Sequence, residues 1–155
     1  MELTARRIRN PELVTAVLSE VYETVAEDNS PHPSTVQLDL ERTPVVALTN
    51  GFDVHGLIAV TPFSLNVARV QVAIRPDYYG DGYNLELTRR GLQECQEIMN
   101  VPRLIMLVPV PDKEALRFAQ RAGFQREGVM RSSFLRGGEL IDQYLLGTTA
   151  QECKN

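Results

Sequence analysis

The sequence predicts a mixed α/β fold in which seven strands and three or four helices form one domain over residues 1–155. Three observations predict it. Three strand-like segments follow one another between residues 44 and 74, as in an antiparallel meander. The apolar run RLIMLVPV at 103–110 is typical of a strand covered on both faces. Amphipathic helical segments lie around these strands, and the predicted order is β-α-(α)-β-β-β-α-β-α-β-β.

The first helix has clear local signals. A short strand is expected over residues 2–9, and Asn10 can then cap the helix. Pro11 suits the first helical position, and Glu12 favours the positive end of the helix dipole. Residues 31–42 fit neither helix nor strand. Apolar residues with helical spacing predict the inner face: Val14, Val17, Leu18, Val21 and Val25.

The meander follows from turn chemistry. Residues 44–49 read as a buried strand, and Asn50-Gly51 is a typical hairpin turn. Residues 54–63 pair back onto the first strand. A second turn leads into the third strand, 68–74, which alternates in hydrophobicity.

Two helices and three strands are predicted in the second half. Asp112 can cap the third helix, and Gly123 can end it. Strands 124–135 and 139–147 are joined by a Gly-Gly pair. The second helix places Leu85, Thr88, Leu92, Cys95 and Met99 near one face. The inner face of the third is expected to hold Ala115, Phe118, Ala119 and Ala122.

Composition excludes several classes of protein. A net charge of -4 does not suit a general nucleic-acid binder. Cys95 and Cys153 do not form a disulfide framework or a zinc pattern, so we predict no metal site. The N-terminus is too polar for a signal peptide, and no apolar stretch approaches the ~20 residues of a membrane span. We expect a cytoplasmic monomer or homodimer without a nucleic-acid or membrane partner.

The stretch PDYYGDGYN, residues 76–84, has two interpretations. It can be an ordinary strand-to-helix turn. It can also be an anion-binding loop, because amides at a helix N-terminus lack partners and the helix dipole favours negative charge. Glycine at 80 and 82 lets the backbone approach a phosphate closely. The loop also follows the carboxyl end of strand 68–74, where ligands bind in open α/β sheets.

Three motifs make residues 45–148 resemble the GNAT acetyltransferase superfamily. The first is the family loop Pro-x-x-Arg/Gln-Gly-x-Gly-x-Gly/Ala, matched by Pro76, Gly80 and Gly82, with Tyr79 and Asn84 at the differing positions. The second is Val-x3-Asn-x2-Ala-x2-Phe/Leu-Tyr-x-Lys-x-Gly-Phe. Its positions are held here by Val108, Asp112, Ala115, Phe118, Ala119, Arg121, Gly123 and Phe124.

The third motif is similar to the end of the ribosomal-protein N-terminal acetyltransferase branch. It runs Gly-Phe-x2-Glu-Gly-x2-Arg and then Gly-x3-Asp-x-Tyr. The matching residues are Gly123, Phe124, Glu127, Gly128 and Arg131, followed by Gly138, Asp142 and Tyr144.

The resemblance implies a mixed, mostly antiparallel central sheet of about seven strands with three or four flanking helices. It also implies acetyl-CoA as the cofactor. Backbone groups of Val72, Ala73 and Ile74 would face the pantetheine arm, with the Val72 N–H near the thioester carbonyl. The pyrophosphate would be held by Tyr79, Gly80, Asp81, Gly82, Tyr83 and Asn84. The remaining cofactor residues are Asp112, Arg117 and Arg121, of which the two arginines would meet the 3′-phosphate.

No acidic residue lies in strand 68–74, where Arg69 and Gln71 stand near the position of the family's usual glutamate. We therefore take His55, Asp142 and Tyr144 as candidate catalytic residues. Asp53 is a further candidate base, and Tyr79 is a further candidate acid. Each has a structural alternative: Asp142, for example, can pair with Arg131 or cap a neighbouring backbone.

The implied activity is transfer of an acetyl group from acetyl-CoA to a primary amine by direct attack in a ternary complex. The amine would belong to a protein N-terminus, a lysine or a small molecule. Four acidic residues would suit a cationic peptide or amine, or would simply be solvated: Glu27, Asp28, Asp39 and Glu41. The alternative function is a catalytically silent module that binds CoA or a protein partner in a regulatory or structural role. Ala119, Tyr79 and Asn84 favour that alternative.

Overall fold

The computed structural model describes residues 3–78, 82–150 and 152, with the backbone alone for 82–84. Its seven-stranded sheet has the order β1-β2-β3-β4-β5-β7-β6. The strands are β1 (Thr4–Ile8), β2 (Val45–Thr49), β3 (Val54–Ser64), β4 (Val67–Ile74), β5 (Arg103–Pro109), β6 (Gln125–Arg136) and β7 (Glu139–Thr149). Within the described residues the helices are α1 (Pro11–Val25), α2 (Gly82–Met99) and α3 (Lys113–Arg121), with 3₁₀ turns at Pro33–Thr35 and Pro76–Tyr78.

The predicted fold class is confirmed. The β4–β5 pair is parallel, and the other five pairs are antiparallel. The strand before α1, the three-strand meander and the final hairpin all lie where the sequence predicts them. Gly137 and Gly138 make the last turn with φ of 61° and 77°, values that suit glycine.

The sheet buries a hydrophobic cluster on each face. On one face α1 contributes Val14 and Val17, which pack with Val45, Ala47 and Leu57. On the other face, α2 and α3 pack against the alternate residues of the same strands. That larger cluster includes Val46, Ile58, Leu87, Leu92 and Ala119. Because side chains alternate along a strand, β2 and β3 serve both clusters.

The start of α1 confirms the predicted cap. The Asn10 Oδ1 atom accepts hydrogen bonds from Glu12 N at 3.1 Å and from Leu13 N at 3.3 Å. The Asn50-Gly51 hairpin is also confirmed, although its loop covers residues 50–53. There Asn50 Oδ1 accepts from the backbone N–H groups of Phe52 and Asp53, and Gly51 has φ of 96°.

Three local predictions are wrong. Asp112 does not cap α3 through its side chain, because Arg136 binds that carboxylate. Ala115 is exposed, and Leu116 packs on the core instead. Val25 is 46% exposed, because α1 ends there and the chain turns away from the cluster.

Two further findings concern the described part of the chain. None of its helices is both long and apolar enough to cross a membrane. Across the same residues, no group of three or more His, Cys, Asp or Glu side chains is arranged to hold a metal ion.

Candidate functional site: a gap between two central strands

The middle of the sheet contains a gap. β4 and β5 pair at three positions, from Val67–Arg103 to Arg69–Ile105, and the pairing then ends. Both strands continue beyond that point, β4 to Ile74 and β5 to Pro109. β5 instead stays in register with β7 along all seven of its residues. The two central strands therefore diverge toward their carboxyl ends.

Backbone amides of β4 face this gap. The Arg75 N–H donates to the His55 carbonyl at 2.8 Å, which fixes the pattern of alternation between β3 and β4. In an antiparallel strand the N–H groups of every second residue bond to the same neighbouring strand. The Ala73 N–H therefore points, like that of Arg75, toward β3, where Leu57 is its partner. Val72 and Ile74 then direct their N–H groups to the β5 side. Of the three predicted backbone residues, two are aimed at the gap and Ala73 is not.

The side chains beside the gap are incompletely covered although both strands are central. Val72 and the β5 residues Met106 and Leu107 are only half-buried, and Gln71 is exposed. By contrast, Val70 and Leu104, near the paired ends of the two strands, are fully buried. An uncovered apolar groove at the centre of a sheet is a typical place for a ligand.

A cavity of about 180 Å³ lies over the gap on the α1 face. Arg69 and Gln71 of β4, Leu107 of β5 and Gln143 of β7 form its floor. Val25, Glu27 and Ser30 contribute one wall, and Met130, Ser133 and Phe134 of β6 contribute another. The β6 residues reach it because the β6–β7 register shifts between Met130 and Phe134.

The charges around the cavity differ from the predicted acidic surface. Glu27 lines the cavity, and its Oε1 accepts from Leu135 N at 2.9 Å. Asp28 instead accepts from Gly138 N. Asp39 accepts from the backbone N–H groups of Glu41 and Arg42, while Glu41 pairs with Arg7 and Arg9. Of the four predicted acids, Glu27 is the one that lines the cavity.

A larger depression of about 530 Å³ lies between Arg9, Pro11 and residues 37–41. It is distant from the gap, because it adjoins β1 at the edge of the sheet. Its two carboxylates, Asp39 and Glu41, already bind backbone amides and arginines. We therefore place the candidate site at the gap, although the cavity there is smaller.

The predicted phosphate loop is partly described. Tyr79, Gly80 and Asp81 lie outside the described residues. Gly82, Tyr83 and Asn84 form the first turn of α2, which begins at Gly82 after β4 and the Pro76–Tyr78 turn. The helix N-terminus thus follows the carboxyl end of β4, as the prediction requires.

The other predicted cofactor residues lie on or beside α3. Arg117 and Arg121 are exposed and one helical turn apart. The Arg89 guanidinium donates to the Arg121 carbonyl and links α2 to α3. Asp112 is bound in a bidentate pair with Arg136, at 2.8 and 3.0 Å. This hydrogen-bonded carboxylate raises the pKa of Arg136.

His55 is far from the other candidate catalytic residues. It is fully buried at the start of β3, where its ring stacks on Tyr78 with centroids 3.9 Å apart. Asp142 and Tyr144 lie on β7, three strands away, which corresponds to roughly 14 Å at normal strand spacing. Beside His55, Arg75 binds Glu20 of α1, and this hydrogen bond lowers the pKa of Glu20.

Asp142 and Tyr144 have structural partners. Asp142 Oδ1 accepts from Ser132 N at 2.8 Å, so the predicted alternative of a backbone cap is confirmed. Ser132 has φ of 50°, and this bond holds it within the irregular part of β6. Tyr144 packs on the α2 face, and the Arg126 guanidinium lies 4.8 Å from its ring centroid. Asp53 lies in the exposed turn before β3.

Sequence reasoning missed Gln143 and Ser133. Gln143 is only 5% exposed and lies on the cavity floor. A polar residue at an inward position of an alternating strand was the available signal. Ser133 had no such signal in the sequence, because it reaches the cavity only through the register shift between Met130 and Phe134 of β6.

The fold is that of known N-acetyltransferases. No protein-family model matches the sequence, and no curated protein matches it. Solved structures do match, at identities low enough that the likeness establishes the fold alone. The chain therefore has the GNAT fold, with 18% identity and a TM-score of 0.80 to one such structure.

The solved structures that the chain is similar to include several spermidine N-acetyltransferases. The match at TM-score 0.80 is a chimera of SpeG from Vibrio cholerae and hSSAT, with 100% of this chain and 99% of that chain covered. A point mutant of Vibrio cholerae SpeG has 16% identity, coverage of 99% and 96%, and a TM-score of 0.78. The same organism's spermidine N-acetyltransferase in complex with CoA and spermine has 17% identity, coverage of 99% and 98%, and a TM-score of 0.75.

Proposed function

We propose that the protein is an acetyl-CoA-dependent N-acetyltransferase that moves the acetyl group to a primary amine by direct attack in a ternary complex. The divergence of β4 from β5 carries this proposal. It leaves a groove with backbone donors at the centre of the sheet and a cavity over one face of it. The match in fold to a transferase solved with CoA and spermine adds support.

The residues present fit a pantetheine-linked thioester. Val72 and Ile74 offer amides along the gap, and half-buried Met106 and Leu107 offer apolar contact. The N-terminus of α2, with the loop before it, suits a pyrophosphate because helix N-termini attract anions. Arg117 and Arg121 suit the 3′-phosphate. The carboxylate of Asp112 is already paired with Arg136, so it is the weakest member of the proposed set.

When bound, acetyl-CoA would supply an activated acetyl thioester. The Val72 N–H would polarise the acyl carbonyl, since a preorganised donor aimed at the carbonyl oxygen stabilises developing negative charge. The cavity on the α1 face would hold the amine against the gap and so orient the two reactants. Glu27 is the carboxylate in the cavity wall, and we assign it to accept the proton of the amine.

Two catalytic candidates from the sequence, His55 and Asp142, are engaged within the protein and are less suited to act as the base. His55 is buried against Tyr78, and Asp142 binds the Ser132 amide. Tyr144 stays a proposed acid for the departing thiolate. The C-terminal motif resembles the ribosomal-protein N-terminal branch, so a protein N-terminus remains a proposed acceptor beside lysine and small amines.

The test is to titrate acetyl-CoA by calorimetry and then to follow thiol release with a panel of amines. We expect saturable binding and amine-dependent release. We also expect Gly82→Val to weaken CoA binding at least ~10-fold with little change in thermal midpoint, because a side chain there would obstruct the approach of phosphate to the helix N-terminus.

Three results would count against the proposal. Binding without release from any amine would indicate the silent module instead. A protein that does not bind acetyl-CoA at all would exclude both functions. A Gly82→Val variant that binds CoA as tightly as the parent would remove the loop from the site.

A further inference from the structure

The most unusual group in the cavity is the Arg69 guanidinium. Arg69 lies on β4 at the last position that pairs with β5, and its side chain lines the cavity floor. Its Nε atom is buried and makes no hydrogen bond. None of the ion pairs among the described residues includes Arg69.

Such an arrangement has a physical cost. Arg69 is half-buried, and its Nε atom has lost contact with water without gaining a partner, which is destabilising. Arginines in such positions are normally paired. The other buried or half-buried arginines near the centre of the fold follow that rule. Arg75 binds Glu20, Arg103 binds Glu127, and Arg136 binds Asp112. Arg89, also half-buried, donates to the Arg121 carbonyl. Among the half-buried arginines that the structure describes, Arg69 is the one with neither an ion pair nor a side-chain hydrogen bond.

No side chain of the cavity lining forms an ion pair with Arg69. Gln71, Gln143, Ser30 and Ser133 are neutral hydrogen-bonding groups. Glu27 is the one carboxylate among the lining residues, and it lies in the wall after α1, where it binds the Leu135 amide rather than Arg69. The lining therefore presents a cation on the floor and an anion in one wall.

These charges select the kind of acceptor. A polyamine carries positive charge at both ends, and the distal ammonium would face the unpaired guanidinium of Arg69 in a partly desolvated space. A molecule with an amine and a carboxylate has charges of both signs and fits both groups. A guanidinium also binds a carboxylate through two parallel hydrogen bonds. At about 30 Å³ per water, the cavity of about 180 Å³ holds roughly six water molecules, enough for a small molecule or a chain end.

We infer that Arg69 binds a carboxylate of the acceptor, so that the acceptor class is amino-acid-like: a primary amine that also carries a carboxylate, rather than a polyamine. This inference rests on the proposed acetyltransferase function and deepens it. Arg69 is then the residue that determines specificity, and Gln71 and Gln143 supply hydrogen bonds on either side of it.

The test uses pairs of amines that differ at one end. 4-Aminobutyrate is compared with 1,4-diaminobutane, alanine and glycylglycine are compared with their carboxamides, and spermidine is included. Thiol release gives kcat/KM for each compound. Calorimetry with CoA present gives the affinity for 4-aminobutyrate independently of turnover. We expect the carboxylates to exceed their partners by ~10- to 100-fold, the range of a charge-assisted hydrogen bond.

Arg69→Gln should reduce kcat/KM and affinity for the carboxylates by the same ~10- to 100-fold, with CoA affinity and thermal midpoint unchanged. Arg69→Lys should restore part of the loss. The control is Arg6→Gln, because Arg6 is an exposed arginine on β1 at the edge of the sheet. It should behave as the parent does.

Two outcomes overturn the inference while the proposed function stands. One is that diamines or spermidine are acetylated as well as the carboxylates. The other is that Arg69→Gln leaves the preference unchanged. If no amine is acetylated, the calorimetric arm still decides: binding of 4-aminobutyrate that depends on Arg69 supports the inference, and its absence overturns it.

Discussion

Glu27 is held in the cavity wall by a hydrogen bond that a glutamine could also make. Its Oε1 accepts from Leu135 N, so Glu27→Gln keeps an acceptor at that position and removes the ability to take a proton. We expect kcat to fall by about 10²–10⁴, the usual contribution of a general base, with thermal midpoint and CoA affinity unchanged. Thiol-release rates between pH 6 and 9 measure this effect.

Asp28 supplies the matched control for Glu27. It lies next in the chain and also accepts a hydrogen bond from a backbone amide, that of Gly138, but it does not line the cavity. Asp28→Asn should therefore retain the parental rate. A Glu27→Gln variant that matches the rate of Asp28→Asn would show that Glu27 takes no part in proton transfer.

At the residue scale, local chemistry was predictable and distant partners were not. Asn10 caps α1 as predicted, because the two N–H donors that its side-chain oxygen accepts from lie within three residues of it. Asp112 fails as a cap because Arg136, 24 residues away, binds its carboxylate. The position of Arg69 in its strand can be predicted from the sequence, but the cavity that gives it a role is formed by five separate segments of the chain.

Gly56 of β3 is required by a close approach between strands. A Cβ atom built at this position would lie 2.5 Å from the Ala73 carbonyl oxygen and 2.8 Å from Ile74 Cδ1. The backbone of a central strand has little room to move, so the strain is not easily relieved. We expect Gly56→Ala to lower the free energy of unfolding by about 1–3 kcal/mol, the usual cost of overpacking. Urea denaturation measures it.

Gly128 provides the control within the same sheet. A Cβ there would meet nothing within 4 Å, and its φ is outside the left-handed region. Gly128→Ala should change stability by no more than about 0.5 kcal/mol, as surface substitutions usually do. Equal effects of the two substitutions would contradict the close approach at Gly56.

At the element scale, most boundaries could be predicted from the sequence. Residues 44–49, 54–63 and 103–110 correspond to β2, β3 and β5 within a residue at each end. Turn residues and hydrophobic alternation fix these limits locally. The segment 31–42 stayed ambiguous because tertiary contacts hold its 3₁₀ turn. His32 caps that turn and packs its ring against Tyr22 of α1, with centroids 5.0 Å apart.

At the scale of the whole molecule, the divergence of β4 and β5 connects the two faces of the sheet. The helix that follows the phosphate loop packs on one face, and the acceptor cavity lies on the other. No residue pattern in either strand marks where their pairing ends. Beyond the Arg69–Ile105 pair, β4 stays paired with β3 and β5 stays paired with β7, so the sheet separates between them. The expectation that backbone groups of Val72, Ala73 and Ile74 face a ligand came from the family resemblance, and periodicity alone did not provide it.

The most direct test of this account is a titration of ¹⁵N-labelled protein with CoA, followed through the backbone amides of β4. The account predicts large shifts and slowed hydrogen exchange at Val72 and Ile74. Ala73, whose amide faces β3, should change little. CoA that fails to bind, or that binds while the Val72 and Ile74 amides stay unchanged, would contradict the proposed site.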